Sequence, residues 1–203
     1  MPSFEAVHEA GHVVACHIYG VGFTYVTVDP QECREGTDGG VWTKKSGDAL
    51  ALLDAAFAGG EAGRIFNNTE EVCLTELGDI ILAEKIFSYY VDDDTESFLD
   101  YRISRRPVVN DLLRRNWGAV LSVAYMLDER KTLCEHQARA AILQAEREAG
   151  CCDLPDYTPP EICEICHFPK ERRLPRRRPL RTNAPQSEYG AANRVLGRVR
   201  SER

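Results

Sequence analysis

Ser3-Phe4-Glu5-Ala6-Val7-His8-Glu9-Ala10-Gly11-His12-Val13-Val14-Ala15-Cys16 is the stretch on which the reading of this chain turns. Ser3 suits an N-cap, Glu5 places negative charge in a first turn, and Gly20 suits the end of a helix. Phe4, Val7, Val14, Ala15 and Ile18 recur at helical spacing. Inside that helix His8-Glu9-Ala10-Gly11-His12 has the His-Glu-x-x-His pattern of zinc sites. Histidines four residues apart lie one turn apart on one face, so both imidazoles reach a single ion. Glu9 lies about 100° round from His8, within reach of a water beside the ion without being a ligand. Zinc with an open position lowers the pKa of such a water towards about 7, and Glu9 can take the proton and pass it to a leaving amine. A helix of purely structural purpose would rarely bury two histidines and a glutamate. His17, nine residues after His8, faces the opposite side and reads as a packing or surface residue.

At 203 residues, 43% hydrophobic and 28% charged, the chain fits a soluble globular protein with one good core. No apolar run is long enough to span a bilayer and no basic-then-apolar signal opens the chain, so the expected compartment is cytoplasmic. There the eight cysteines are expected as thiols or metal ligands before disulfides.

Phe23 to Pro30, rich in aromatic and β-branched residues, reads as a strand. After the polar turn Gln31 to Gly39, Gly40-Val41-Trp42-Thr43 reads as a second, antiparallel strand. Such a sheet beside a metal helix either offers an edge to an extended peptide or is merely covered. Asp48 to Asn67 is an alanine-rich helix interrupted at Gly59-Gly60, and Thr75 to Phe87 is another with Thr75 as N-cap. A third metal ligand is wanted here. Asp79, Glu76, Glu61 and Glu84 are all chemically eligible, and spacing does not choose. Asp92 to Glu96 reads as a solvated acidic turn. Val108 to Glu129 is expected as one long helix and Leu133 to Ala149 as another, the latter with Cys134 and His136 as packing or surface residues.

The opening helix, Val26-Thr27-Val28-Asp29-Pro30, Gly39-Gly40, Ala58-Gly59-Gly60-Glu61-Ala62 and Asp79-Ile80-Ile81-Leu82-Ala83 together resemble the peptidase domain of the FtsH family of zinc metallopeptidases. The resemblance covers about the first 150 residues. It implies Asp79 as the third zinc ligand beside His8 and His12, with Glu9 as catalytic base. The chain departs from the family pattern in the Glu76-Leu77-Gly78 lead-in and at Arg64, where the family has an acidic residue. The family's ATP-driven module and membrane segments have no counterpart, since there is no phosphate-cradling Gly-Lys-Ser/Thr loop.

Residues 151–169 are rich in cysteine. Cys163 and Cys166 form half of a tetrahedral shell, and Cys151 or Cys152 with His167 can supply the rest, so Cys152, Cys163, Cys166 and His167 are a candidate second metal site. Cys-x-x-Cys-His is also the haem c attachment pattern, against which the lack of an export signal weighs. From Lys170 to Arg203 there are 11 Lys or Arg against three acids, whereas the remainder carries 14 against 29, so an acidic body bears a basic tail. With little apolar content the tail is expected to be disordered and to touch nucleic acid or another anionic partner nonspecifically.

The expectation is a mainly α fold with a small antiparallel β-sheet: a zincin-like metallopeptidase domain over 1–150, the Cys-rich segment over 151–169 and the tail over 170–203. Its cofactor would be zinc and its substrates unfolded proteins or short peptides, with a separate ATPase or adaptor to feed it. Two other readings compete: a zinc-binding regulatory protein without turnover, and a nucleic-acid-associated protein acting through its tail. Glu9 favours the enzyme, because a scaffold has no need of it.

Overall fold

Ser3 begins the helix of His8, Glu9 and His12 as its side chain predicts. In the computed structural model, which describes residues 1–31, 39–44, 48–69, 71, 74–90 (backbone only at 74 and 75) and 97–150, α1 spans Phe4–Ile18. Ser3 Oγ accepts from the Ala6 N–H at 3.2 Å and donates to Asp128 Oδ1 at 2.6 Å, while its own N–H donates to Asp128 Oδ2 at 2.6 Å. The cap is therefore tied to a later helix. At the other end Val21 N–H donates to Cys16 O at 2.8 Å and Gly20 N–H to His17 O at 3.3 Å, with Gly20 at φ 70°. That pair of bonds is a Schellman motif, and its left-handed residue is the glycine. Ser3→Ala removes both the cap and a hydrogen bond to a charged group, so we expect it to destabilise the protein by about 2 kcal/mol, read from urea unfolding.

Every residue from Ala6 to Cys16 is buried, so α1 is a central helix and not a surface one. It packs on α2 (Ala49–Asn67) and on α5 (Trp117–Arg130). The crossing with α2 is close at Gly11, where a Cβ would lie 2.6 Å from both Ala58 O and Ala62 Cβ. Only glycine permits that approach.

Asp48 caps α2 through the N–H groups of Leu50 and Ala51, and Asn68 ends it in the left-handed conformation at φ 49°. The helix runs unbroken through Gly59-Gly60. The expected interruption is absent because the missing side chains are compensated by neighbours that fill their space, as described below. α3 spans Leu74–Tyr90 and α4 Phe98–Arg115, the latter capped by Ser97. Thr75 lies inside α3 and is not its cap.

The helix expected over Val108 to Glu129 is two helices. α4 begins ten residues before Val108 and carries Pro107 in its interior, a residue that reads in sequence as a boundary because it lacks an N–H. The real break is Asn116, at φ −110° and ψ 24°, whose amide nitrogen donates to Leu112 O at 2.8 Å and whose backbone N–H also closes α4. A polar side chain able to satisfy a helix's last carbonyls competes with continuation of the helix.

The other correction is at Leu133. Lys131, at φ 64°, turns the chain after α5, and Thr132–Cys134 then forms β3 before α6 (Glu135–Glu148). β1 is Phe23–Thr27 and β2 is Gly40–Thr43, giving an antiparallel sheet of order β2-β1-β3. β1 pairs Val26 with Val41 on one side and with Leu133 on the other. Three residues are too few for alternation to announce a strand, so sequence assigned Leu133 and Cys134 to the helix. The architecture is six helices with this three-stranded sheet among the described residues.

One apolar cluster joins α1, β1, α5 and α6 through residues such as Val7, Val13, Phe23, Leu127 and Ile142. A smaller one, of Leu53, Phe57, Ala83, Phe87 and Tyr101, seats α3 and α4 on α2. No helix among the described residues is long and apolar enough to cross a membrane.

Candidate metal centre

α1 and α3 bring three ligand-type atoms together on one side of α2. His8 Nε2 lies 2.9 Å from Asp79 Oδ2 and 3.2 Å from His12 Nε2, and His12 Nε2 lies 3.3 Å from Asp79 Oδ2. Three donors around a tetrahedral ion with bonds of about 2.0–2.1 Å would stand about 3.3 Å apart, so the residues present fit zinc in type and spacing. His12 Nδ1 lies 2.7 Å from the Ala55 carbonyl, which only accepts, so Nδ1 carries the proton. In the neutral ring Nε2 is then the free lone pair, the tautomer a metal needs. His8 and His12 are buried, while the Asp79 side chain keeps 24% of its exposure, so the centre is open on the α3 side.

His12 owes its place to Gly59. A Cβ there would stand 2.2 Å from His12 Nε2 and 2.6 Å from Cε1, so the imidazole occupies the volume the glycine leaves. The sequence reading took the glycine pair as an interruption of the helix, whereas Gly59 is where His12 sits against it.

Glu9 is not one of the clustered ligands. Its side chain is buried beside Gly39, whose Cβ would lie 2.4 Å from Glu9 Oε1, and Oε2 meets no hydrogen-bond partner among the described residues. A buried carboxylate oxygen without a partner is costly and marks a group held for something other than stability.

The charges in the centre are mutually dependent. Burial pushes the Glu9 carboxyl up from its ordinary value, against the pull of His12 and His8. Burial also works to lower His12, but the Asp79 carboxylate and its hydrogen bond, with Glu9 and Ala55 O, carry it up to about 9. At Asp79 burial works upward, and the two histidines outweigh it and hold the carboxyl well below the usual carboxylate range. Asp79 is therefore ionised at neutral pH.

The other acids eligible in sequence are elsewhere. Glu84 is exposed. Glu61 accepts from Arg64 Nη1 at 2.8 Å, Arg106 Nε at 2.7 Å and Asn110 Nδ2 at 3.2 Å. Glu76 accepts from Arg64 Nη2 at 2.6 Å and 2.5 Å and from Arg102 Nη2 at 2.8 Å. Both carboxylates are spoken for by arginines that the sequence reading did not connect with them. Arg64 and Glu76, two positions where the chain departs from the FtsH pattern, are partners of each other.

His17 is half-buried and outside the cluster, and His136 is exposed. Cys16 and Cys134 are buried, and burial pushes the Cys16 thiol up to about 12, which makes it a packing residue and not a nucleophile. The Cys-rich candidate site of Cys152, Cys163, Cys166 and His167, the acidic turn at 92–96 and the basic tail all lie outside the described residues. The Ala55 carbonyl was invisible in sequence, because a backbone group carries no residue signature. No protein-family model matches the chain, and no curated protein matches it significantly.

Proposed function

We infer that this chain is a zincin-like zinc metallopeptidase, akin to the FtsH peptidase domain, that hydrolyses peptide bonds of unfolded or short polypeptides. The observation that carries the reading is the convergence of His8 Nε2, His12 Nε2 and Asp79 Oδ2 at ligand spacing, beside a buried Glu9 oxygen that meets no partner among the described residues. Zinc bound there supplies Lewis-acid polarisation and lowers the pKa of an attacking water. His8, His12 and Asp79 hold the ion, and Ala55 O orients His12. Glu9 accepts the proton of the water through its free oxygen and returns it to the leaving nitrogen. Its raised pKa is the direction such a proton carrier requires near neutrality. β2 lies at the edge of the sheet, and Gly39 just before it stands against Glu9, so an extended chain added to that edge would run past the proton carrier.

The test is zinc content per chain together with cleavage of casein by the full chain, with and without a chelator. We expect one zinc retained by His8, His12 and Asp79, and cleavage that chelation abolishes and zinc restores. Metal-free wild type that still cleaves casein, or a chain that takes up no zinc, overturns the proposal. The affinity also has a predicted pH dependence. Below about 9 the metal-free His12 carries a proton that the ion must displace. Apparent affinity should therefore rise about tenfold per unit from pH 7 towards 9 and level off above, as competition titrations at three pH values would show.

A further inference from the structure

We propose that Arg64 and Glu76 form a positioning pair whose task is to set the third ligand, Asp79, against His8 and His12; the inference rests on the metal reading above. α3 carries Asp79, yet Leu77, Ile81 and Leu82 around it are exposed. The described side chains that α3 buries are Glu76, Ala83 and Phe87. Past Asp79 the helix is held by apolar contact, with Phe87 against Phe98 and Tyr101. Before it, the described anchor is a carboxylate, three residues or about 4.5 Å of helix rise from the ligand.

That carboxylate is held in a defined place. Arg64 Nη2 lies within 2.6 Å of both Glu76 oxygens, and Arg102 Nη2 approaches Oε1 from α4 at 2.8 Å. Arg64 is itself fixed from its own helix by Glu61, through Nη1 at 2.8 Å. Directional charged hydrogen bonds fix rotation and translation of a helix more narrowly than an apolar side chain does. Buried ion pairs commonly add no stability over apolar packing of equal volume, so their value here is geometric.

The adjacent glycines of α2 link the pair to the centre. Gly59 makes room for His12, and a Cβ on Gly60 would stand 2.6 Å from Glu76 Cδ. Two neighbouring positions on one helix thus seat a metal ligand and the anchor of the helix bearing another. A one-turn shift of α3 would break the Glu76–Arg64 pair and carry Asp79 away from His8 and His12 together.

Co²⁺ titration of the full chain, followed by visible absorption, tests this. Its bands are intense in four-coordinate sites and weak in six-coordinate ones. Wild type, Glu76→Gln and Asp54→Asn are compared, with folding followed by circular dichroism. Asp54 is an equally buried carboxylate, paired with Arg105 of α4 at 2.9 Å and 2.5 Å and with Tyr19 at the end of α1, and these partners lie outside α3. We expect Glu76→Gln to weaken Co²⁺ binding 10- to 100-fold and to reduce the band intensity, with Asp54→Asn within about threefold of wild type. Equal affinity and bands in Glu76→Gln and wild type, or equal weakening in both variants, overturn the positioning role. If Glu76→Gln fails to fold, Arg64→Lys decides: it keeps the charge but loses the fork, and unchanged affinity overturns the proposal. Wild type that binds no Co²⁺ sinks the metal reading itself, a distinct result.

Discussion

Glu9→Gln is expected to keep its zinc and lose peptidase turnover by between about a hundredfold and ten-thousandfold, the range that general acid–base groups contribute. The amide matches the carboxylate in shape and cannot take a proton. Metal retention follows from geometry, because Glu9 is outside the ligand cluster. It follows also from charge. Glu9 is one of the groups that raise His12, so removing its charge eases the deprotonation that metal uptake requires. The same variant should be at least as stable as wild type, since it exchanges a buried carboxylate with an unpartnered oxygen for a neutral group. Thermal unfolding, metal content and casein turnover on one preparation give all three answers. Turnover within threefold of wild type with zinc in place would remove Glu9 from the chemistry.

Much of this site is legible in sequence because it is local. His8, Glu9 and His12 are fixed relative to one another by the helical period, and Ser3, Glu5 and Gly20 mark the ends of that helix before any tertiary contact is known. The third ligand is different in kind. Glu61, Glu76 and Asp79 have the same chemistry, and what separates them is whether an arginine reaches them. Arg64, Arg102 and Arg106 do so from α2 and α4; Glu61 and Arg64 are three apart on one helix, but the other pairs cross between segments distant in sequence, where no spacing rule applies. Only the resemblance to the FtsH pattern pointed to Asp79. The sheet follows the same logic. β1 and β2 carry enough β-branched and aromatic residues to be read, whereas β3 is three residues long and exists because Lys131 turns the chain back onto β1. Pro107 lies inside α4, where tertiary packing overrides a strong local preference against proline in a helix.

Gly59→Ala is expected to weaken metal binding by more than a hundredfold while leaving the metal-free fold within about 1 kcal/mol of wild type. Helix propensity alone favours alanine by about that amount, so a general rule predicts a gain. The contact argues otherwise, with a Cβ 2.2 Å from His12 Nε2. That atom is the far end of a side chain, so the ring can swing aside, and the cost to the fold is modest. The swing, however, carries Nε2 out of the cluster with His8 and Asp79 and strains the Nδ1 bond to Ala55 O. α1 cannot retreat from α2 as a whole to spare it, because it is buried from Ala6 to Cys16 and packs on α5 as well. Gly118→Ala in α5 is the matched control: a Cβ there meets nothing within 4 Å, so it should gain about 0.5–1 kcal/mol and leave metal affinity alone. Zinc competition titrations and urea unfolding on the two variants separate space from propensity, and equal metal affinity in both would mean that His12 is not held where its contact with Gly59 puts it.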